Sequence, residues 1–152
     1  MKIIIVGTAF PYRGGLASYN ERLAREFVKQ GHDVEIVTFT LQYPSFLFPG
    51  KSQFSTEAAP ADLKVSRTIN SVNPISWVKT GRAIRKKRPD RVIFCDWMAF
   101  MAPCFGTIAR FAKSSGTKMI ALIHNMIPHE PTILDKLFPK YFVDSMDGFV
   151  AM

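Results

Sequence analysis

Lys2-Ile3-Ile4-Ile5-Val6-Gly7-Thr8-Ala9-Phe10-Pro11-Tyr12-Arg13-Gly14-Gly15-Leu16 opens the chain, and its reading decides the fold. Lys2–Thr8 is a continuous, largely β-branched run, as in a strand covered on both faces. A glycine-bearing loop follows, and from Leu16 to Gln30 the apolar residues take up a helical period. Tyr19, Leu23, Ala24 and Phe27 fall on one face, with Glu21, Arg22, Arg25, Glu26 and Lys29 on the other. Gly31 stands where a helix ends in the left-handed conformation, and Asp33–Thr40 reads as a second strand. Strand, helix and strand in this order make a parallel βαβ unit.

The same alternation continues along the chain. Residues 41–62 are a long connection rich in Pro, Ser and aromatics, and Leu63–Arg67 is a short third strand. Asn73 can cap a helix with Pro74 at its first position, running to about Arg88. Arg91–Cys95 is the fourth strand, Trp97 to Ser115 a helical region ended by Gly116, and Lys118–Ile123 the fifth strand. Pro131–Asp144 reads as a helix and Gly148–Met152 as a sixth strand. The expected fold class is α/β: a Rossmann-like doubly wound parallel sheet in three layers, with strand order 3-2-1-4-5-6.

At 152 residues the chain is one domain, 1–152, long enough to bury a core. It is 47% hydrophobic and 21% charged, which excludes a disordered or collagen-like chain. Cys95 and Cys104 lack CxxC spacing, so neither a zinc module nor a disulfide scaffold is indicated, and both read as reduced core residues. Ile3–Val6 is too short for the apolar core of a secretion signal. Val92–Ala112 is apolar enough to suggest a membrane span, but Asp96, Pro103 and Arg110 interrupt it. Each mid-span charge costs about 2.5–3.5 kcal/mol, so a buried strand and helix account for the same letters better and the chain reads as soluble.

In such sheets ligands bind beyond the carboxyl ends of the strands, which directs attention to three loops. The first, Thr8–Gly15, places Gly14-Gly15 at a helix start, where backbone N–H groups and the dipole favour an anion. A plain tight turn explains the same glycines. The loop is neither GxGxxG nor GxxxxGK[ST], and the second strand ends without the acidic residue that grips a dinucleotide ribose. The second loop offers Asp96 and Trp97, a carboxylate and an indole suited to a polyol, although Asp96 could equally cap a helix. The third is His124-Asn125-Met126-Ile127-Pro128-His129-Glu130, whose imidazole and amide groups can hydrogen-bond sugar hydroxyls or phosphate oxygens. A structural histidine is the competing explanation. The candidates are therefore His124 as the catalytic residue and Arg13, Gly14, Gly15, Asp96, Asn125 and Glu130 as substrate-binding residues, with no metal ligands.

Taken in order, Met1–Thr8, Pro11 with Gly14-Gly15, Leu23-Ala24, Gly31-His32-Asp33-Val34, Lys87-Arg88-Pro89-Asp90, the His124–Glu130 loop and Asp147-Gly148-Phe149-Val150-Ala151-Met152 resemble the N-terminal, acceptor-side domain of family-4 retaining glycosyltransferases of GT-B fold. The resemblance covers nearly the whole chain. It implies transfer of a hexose from a nucleotide-sugar donor to a glycan or lipid-linked acceptor, as in cell-envelope polysaccharide assembly. It also implies that Gly14 and Gly15 contact the donor diphosphate or an anionic acceptor headgroup, and that His124 positions the transferred sugar. Attack on the donor's front face would retain anomeric configuration, the leaving phosphate helping to take the acceptor proton, with no metal or other cofactor. Members of that family carry a second, donor-binding domain with a paired-glutamate motif. No part of this sequence corresponds to it, so the expectation is a truncated N-terminal domain, inactive alone. The alternative from another class is a non-catalytic α/β ligand-binding or interaction module.

The formal charge of +8 is unevenly placed. Residues 1–60 hold six Lys/Arg against five Asp/Glu, residues 61–91 nine against two, and residues 92–152 five of each. The excess concentrates in Arg82, Arg85, Lys86, Lys87 and Arg88. One explanation is a solvated helix face whose terminal cations meet the helix dipole. The other is attachment to an anionic membrane surface, helped by Tyr43, Phe46, Leu47, Phe48 and Phe54 in the long connection, which places the protein in the cytoplasm and peripherally on the inner face of the membrane; equally, those aromatics could simply pack beneath the long loop. No RNP, zinc-finger or helix-turn-helix signature accompanies the basic run, so nucleic acid is not an expected partner.

Overall fold

The computed structural model describes residues 1–44, 54–96, 99–124 and 134–152, with the side chains of Asp96 and residues 134–136 left out of the description. The elements are β1 (Lys2–Val6), α1 (Gly15–Lys29), β2 (Asp33–Leu41), β3 (Lys64–Asn70), α2 (Pro74–Lys87), β4 (Arg91–Asp96), a 3-10 turn (Ala99–Met101), α3 (Ala102–Ala112), β5 (Lys118–Ile123), α4 (Leu134–Val143) and β6 (Gly148–Ala151). The strands form one sheet in the order β3-β2-β1-β4-β5-β6, and every neighbouring pair is parallel. This is the doubly wound α/β fold that the alternating pattern predicts.

Some boundaries move, each for a local reason. β1 stops at Val6 because Gly7 and Thr8 turn out of the ladder: the Gly7 N–H still donates to Val37 O at 3.1 Å, but the Thr8 hydroxyl donates to Gln42 Oε1 at 2.7 Å. β3 runs on to Asn70, where the Asn70 carbonyl accepts from the Trp77 indole at 2.7 Å. α2 begins as its sequence dictates, with the Asn73 side chain accepting from the Ile75 N–H at 3.0 Å and Pro74 at the start. α3 starts later than the apolar pattern suggests, at Ala102, with Pro103 in the first turn, where its missing N–H costs nothing. Gly31 and Gly116 both take positive φ, +88° and +83°.

Period-two alternation within β1 divides the core into two clusters. Ile4 and Val6 join Phe94, Met119, Ile84 of α2, Phe105 and Ile108 of α3 and Phe142 of α4 on one face of the sheet. Ile3 and Ile5 join Ile93, Cys95, Leu122 and Ala24 of α1 on the other, with Tyr19, Leu23 and Phe27 packed against them. Thus α2, α3 and α4 share one face and α1 covers the other. Phe94, Phe105 and Phe142 pack with ring centroids 5.7–6.3 Å apart, and each such fully buried side chain stabilises the fold by about 1.5–3 kcal/mol. Helices α2 and α3 approach closely at Gly81, where a Cβ would lie 2.6 Å from Phe111 Cβ and 2.8 Å from the Ile108 carbonyl oxygen.

Candidate functional site

All three loops singled out in the sequence leave the carboxyl edge of the sheet, after β1, β4 and β5. The β1–α1 loop is held by a short network of polar contacts. Asn20, fully buried on α1, donates from Nδ2 to the Thr8 carbonyl at 2.8 Å. The Ala9 N–H donates to Thr38 Oγ1 at 3.1 Å, and the Phe10 N–H to Glu21 Oε1 at 2.9 Å. Tyr12 is buried, edge-on to Phe39 at 6.3 Å and stacked on Phe54 at 5.4 Å. The loop is therefore fixed before it reaches the glycines.

Gly14 takes φ +121° and ψ 174°, a conformation open to glycine and strained for other residues. It caps α1 through its carbonyl, which accepts the Ser18 N–H at 3.1 Å, and no side chain caps the helix start. A Cβ at Gly14 or at Gly15 would meet nothing within 4 Å, and no acidic residue lies in the first turn. No side chain thus competes for the orphan N–H groups of that turn and the positive end of the helix dipole, the arrangement that receives a phosphate. Beside it, Arg13, Gly14, Ser18, Glu21, Ser55 and Glu57 help to line a cavity of about 270 Å³.

His124 directly follows β5. Its imidazole meets the Tyr19 ring edge-on, with centroids 4.9 Å apart and an interplanar angle of 85°. Nε2 is buried and has no hydrogen-bond partner among the described residues. Burial lowers the pKa of the ring below its ordinary value, so near neutral pH it is an uncharged donor–acceptor rather than a cation. Tyr19 stands one helical turn after Gly15, and this contact places His124 beside the first turns of α1. Asp96 ends β4 in register with Ile123, so its backbone adjoins that of His124. Asn125 and Glu130, like Trp97, Pro128 and His129, lie outside the described residues.

Sequence periodicity missed two contributors to this site. Glu21, expected on the solvent face, has only 18% of its side chain exposed and anchors the loop at Phe10. Asn20 carries the Thr8 carbonyl inside the core. The only signal of either was a polar residue within two turns of the glycine pair.

The basic run of α2 lies elsewhere. Because α2 links the carboxyl end of β3 to the amino end of β4, its last turn sits at the opposite, amino edge of the sheet. Tyr43 packs against the core just after β2, and Phe54 pairs with Tyr12, so both of these aromatics belong to the carboxyl edge. They are not neighbours of the basic run, as the sequence suggested; Phe46, Leu47 and Phe48 lie outside the described residues. Two of the five cations are also engaged: Lys87 donates to both oxygens of Glu35, at 2.6 and 2.8 Å, and Arg82 stands over the Phe111 ring at 5.6 Å. Among the described residues, no group of three His, Cys, Asp or Glu comes together as a metal site, and no helix is long and apolar enough to cross a membrane.

Comparison with known proteins adds to this geometry. Three similar solved structures are α-glucosyltransferases. One, bound to UDP and a 13-mer DNA containing an HMU base, is 12% identical, with TM-score 0.62 over 99% of this chain and 37% of that one. A second, with UDP and DNA containing a central A:G mismatch, is 14% identical, with TM-score 0.61 and the same coverage. The third, with UDP-glucose and DNA containing an abasic site, is 11% identical, with TM-score 0.58 over 99% of this chain and 34% of that one. This chain thus spans little more than a third of the length of each, and at these identities the likeness is one of fold. No curated protein matches significantly. The model of a family described as Glycosyltransferase Family 4 matches residues 13–151. With that match running from the glycine pair through β6, the chain belongs to glycosyltransferase family 4.

Proposed function

We propose that the chain is the acceptor-side half of a retaining hexosyltransferase that takes its sugar from a nucleotide-sugar donor. The observation carrying this reading is the pairing, at one edge of the sheet, of an open glycine helix start with an uncharged His124, linked through Tyr19. The first turn of α1 would hold the donor diphosphate through the N–H groups beside Gly14 and Gly15. As the glycosidic bond breaks, negative charge grows on that diphosphate, and donors already aimed at it stabilise the transition state more than the ground state. His124 hydrogen-bonds a hydroxyl of the transferred sugar. The acceptor hydroxyl attacks from the same face, and its proton passes to the departing phosphate, so no protein base is needed.

The cavity beside Arg13, Glu21, Ser55 and Glu57 offers guanidinium, carboxylate and hydroxyl groups to a glycan or lipid-linked acceptor. Asp96, Asn125 and Glu130 would complete the sugar contacts from the other two loops. UDP and UDP-glucose accompany the similar solved enzymes, which supports a uridine nucleotide as the donor class. On this reading the enzyme works in the cytoplasm, and a lipid-linked acceptor would bring it to the inner face of the membrane. The partner half supplies most donor contacts, and without it the reacting groups are not held in register.

Titrating UDP-glucose into the isolated chain, followed by amide NMR, tests the reading. The expected result is weak binding with shifts concentrated at Gly14, Gly15 and His124 and no glucose released. Shifts confined to other regions, or robust turnover by these 152 residues alone, would overturn it.

A further inference from the structure

A second cleft opens at the amino edge of the sheet, between the last turn of α2 and the turn that follows α3. Its volume is about 480 Å³, and Arg85, Arg88, Asp90, Ser115 and Gly116 contribute to its lining. We propose that this cleft binds a phosphate group, separately from the sugar-transfer site. β1 alone is five residues long, so the two edges of the sheet stand about 17 Å apart. A phosphate held here cannot be the donor diphosphate, and the inference stands whether or not the transferase reading does.

Three observations carry it. Arg85, Lys86 and Arg88 have no ion pair among the described residues, whereas Lys87 is paired with Glu35 and Arg82 lies on Phe111. The structure thus divides a five-cation run into two residues used in folding and three left available, two of which line the cleft. Next, the N–H groups of Ser115 and Gly116 donate to nothing among the described residues, and Gly116 at φ +83° leaves open space where a Cβ would stand. Two adjacent amides and a hydroxyl therefore complement the guanidinium groups, as phosphate recognition requires.

The third is the backbone of Arg88. This residue caps α2 in the left-handed conformation, φ 49° and ψ 56°, a position that ordinarily holds glycine. Keeping an arginine there sets a side chain against a backbone preference, and its guanidinium makes no hydrogen bond within the described residues. The Asp90 carboxylate also borders the cleft, but its Oδ2 is engaged by the Lys2 N–H at 2.7 Å.

The phosphate could belong to a lipid headgroup or to a soluble phosphorylated compound, and one experiment separates these. Inorganic phosphate is titrated into the intact 152-residue chain at fixed ionic strength, with amide NMR as the readout, and then vesicles of phosphatidylglycerol in phosphatidylcholine are added. The expected result is movement of the Ser115 and Gly116 amides. Arg85→Gln and Arg88→Gly should each weaken binding about fivefold, while Arg82→Gln, which removes an equal charge outside the cleft, leaves it unchanged. Arg88→Gly should also raise Tm, because glycine relieves the backbone, so weakened binding in that variant cannot come from lost folding. Displacement of phosphate by the anionic vesicles identifies a lipid headgroup as the source; phosphate binding with no vesicle binding identifies a soluble compound. Absence of any Ser115 or Gly116 response, or an Arg82→Gln loss equal to that of Arg85→Gln, overturns the proposal.

Discussion

Asp147 closes the start of β5, its Oδ2 accepting the N–H of Met119 at 2.8 Å. Asp90 does the same for β1, its Oδ2 accepting the Lys2 N–H at 2.7 Å. In each case the carboxylate comes from the residue before the neighbouring strand, β6 or β4. The Pro89-Asp90 and Asp147-Gly148 signatures are thus sheet-closing devices at the amino edge, remote from the candidate site at the carboxyl edge.

Asp147 also accepts from Lys113 Nζ at 2.9 Å. The Met119 N–H, then Lys113, hold its pKa below the ordinary carboxylate value. A carboxylate with a lowered folded pKa stabilises the fold above its unfolded pKa, and that contribution is lost as pH falls through the folded one. Asp147→Ala should therefore cost about 1 kcal/mol near neutral pH, discounted for solvent exposure. The gap from the wild type should shrink below about pH 4. Urea melts at several pH values check this, and Asp147→Asn should lose less because it keeps an acceptor.

For His124 the sign is the same although the cause differs, since burial penalises its charged form. Its pKa is lowered by burial, so the unfolded chain binds the proton more readily. Stability should fall as pH drops from the ordinary value of 6.5 toward the folded pKa, then level off. His124→Gln should remove that slope, and Tyr19→Ala, by admitting water, should move the NMR titration midpoint of His124 back toward 6.5. In an enzyme carrying both halves, His124→Ala should lower kcat by about 100-fold, as lost transition-state contacts do. His124→Gln should recover part of that loss.

Gly81→Ala places a methyl against Phe111 and the Ile108 carbonyl. A gain in helix propensity of about 1 kcal/mol opposes an overpacking cost of about 1–3 kcal/mol. Backbone at 2.8 Å cannot yield as a flexible side chain does, so the net change should be destabilising. A lowered urea midpoint at unchanged slope is the expected observation.

Cys95 and Cys104 are both buried, and burial pushes the Cys104 thiol far up. The thiolate is the reactive form, so a thiol-specific reagent should label neither residue in the native chain and both in guanidinium. Labelling of Cys104 under native conditions would show that α3 opens locally.

Six strands and their order were legible because each β-branched run is separated by unambiguous stops: Gly31, Asn73-Pro74 and Gly116 all act at the elements their chemistry suggests. Gly14 was legible for the same reason, since its value lies in its own backbone. Tyr19, Asn20 and Glu21 were not. Helical periodicity sorts residues into core and solvent, but Glu21 acquires its role from Phe10, which folds back over it, and Tyr19 from a histidine 105 positions later. The basic run was visible as charge, while its division into engaged and available cations depends on Glu35 and Phe111, which no local pattern connects to α2.

The central place of β1 has a consequence for how the protein is made. β1 pairs with β2 on one side and with β4 on the other, and Ile3 faces Arg91 across that second ladder. A ribosome adding about 5–20 residues per second releases Lys2–Val6 roughly 4–18 s before its second partner exists. Through that interval the most apolar segment of the nascent chain, Ile3-Ile4-Ile5-Val6, has one open edge and an incomplete cover. Expression yield should therefore respond to translation speed and to nascent-chain chaperones more than the stability of the finished fold would suggest.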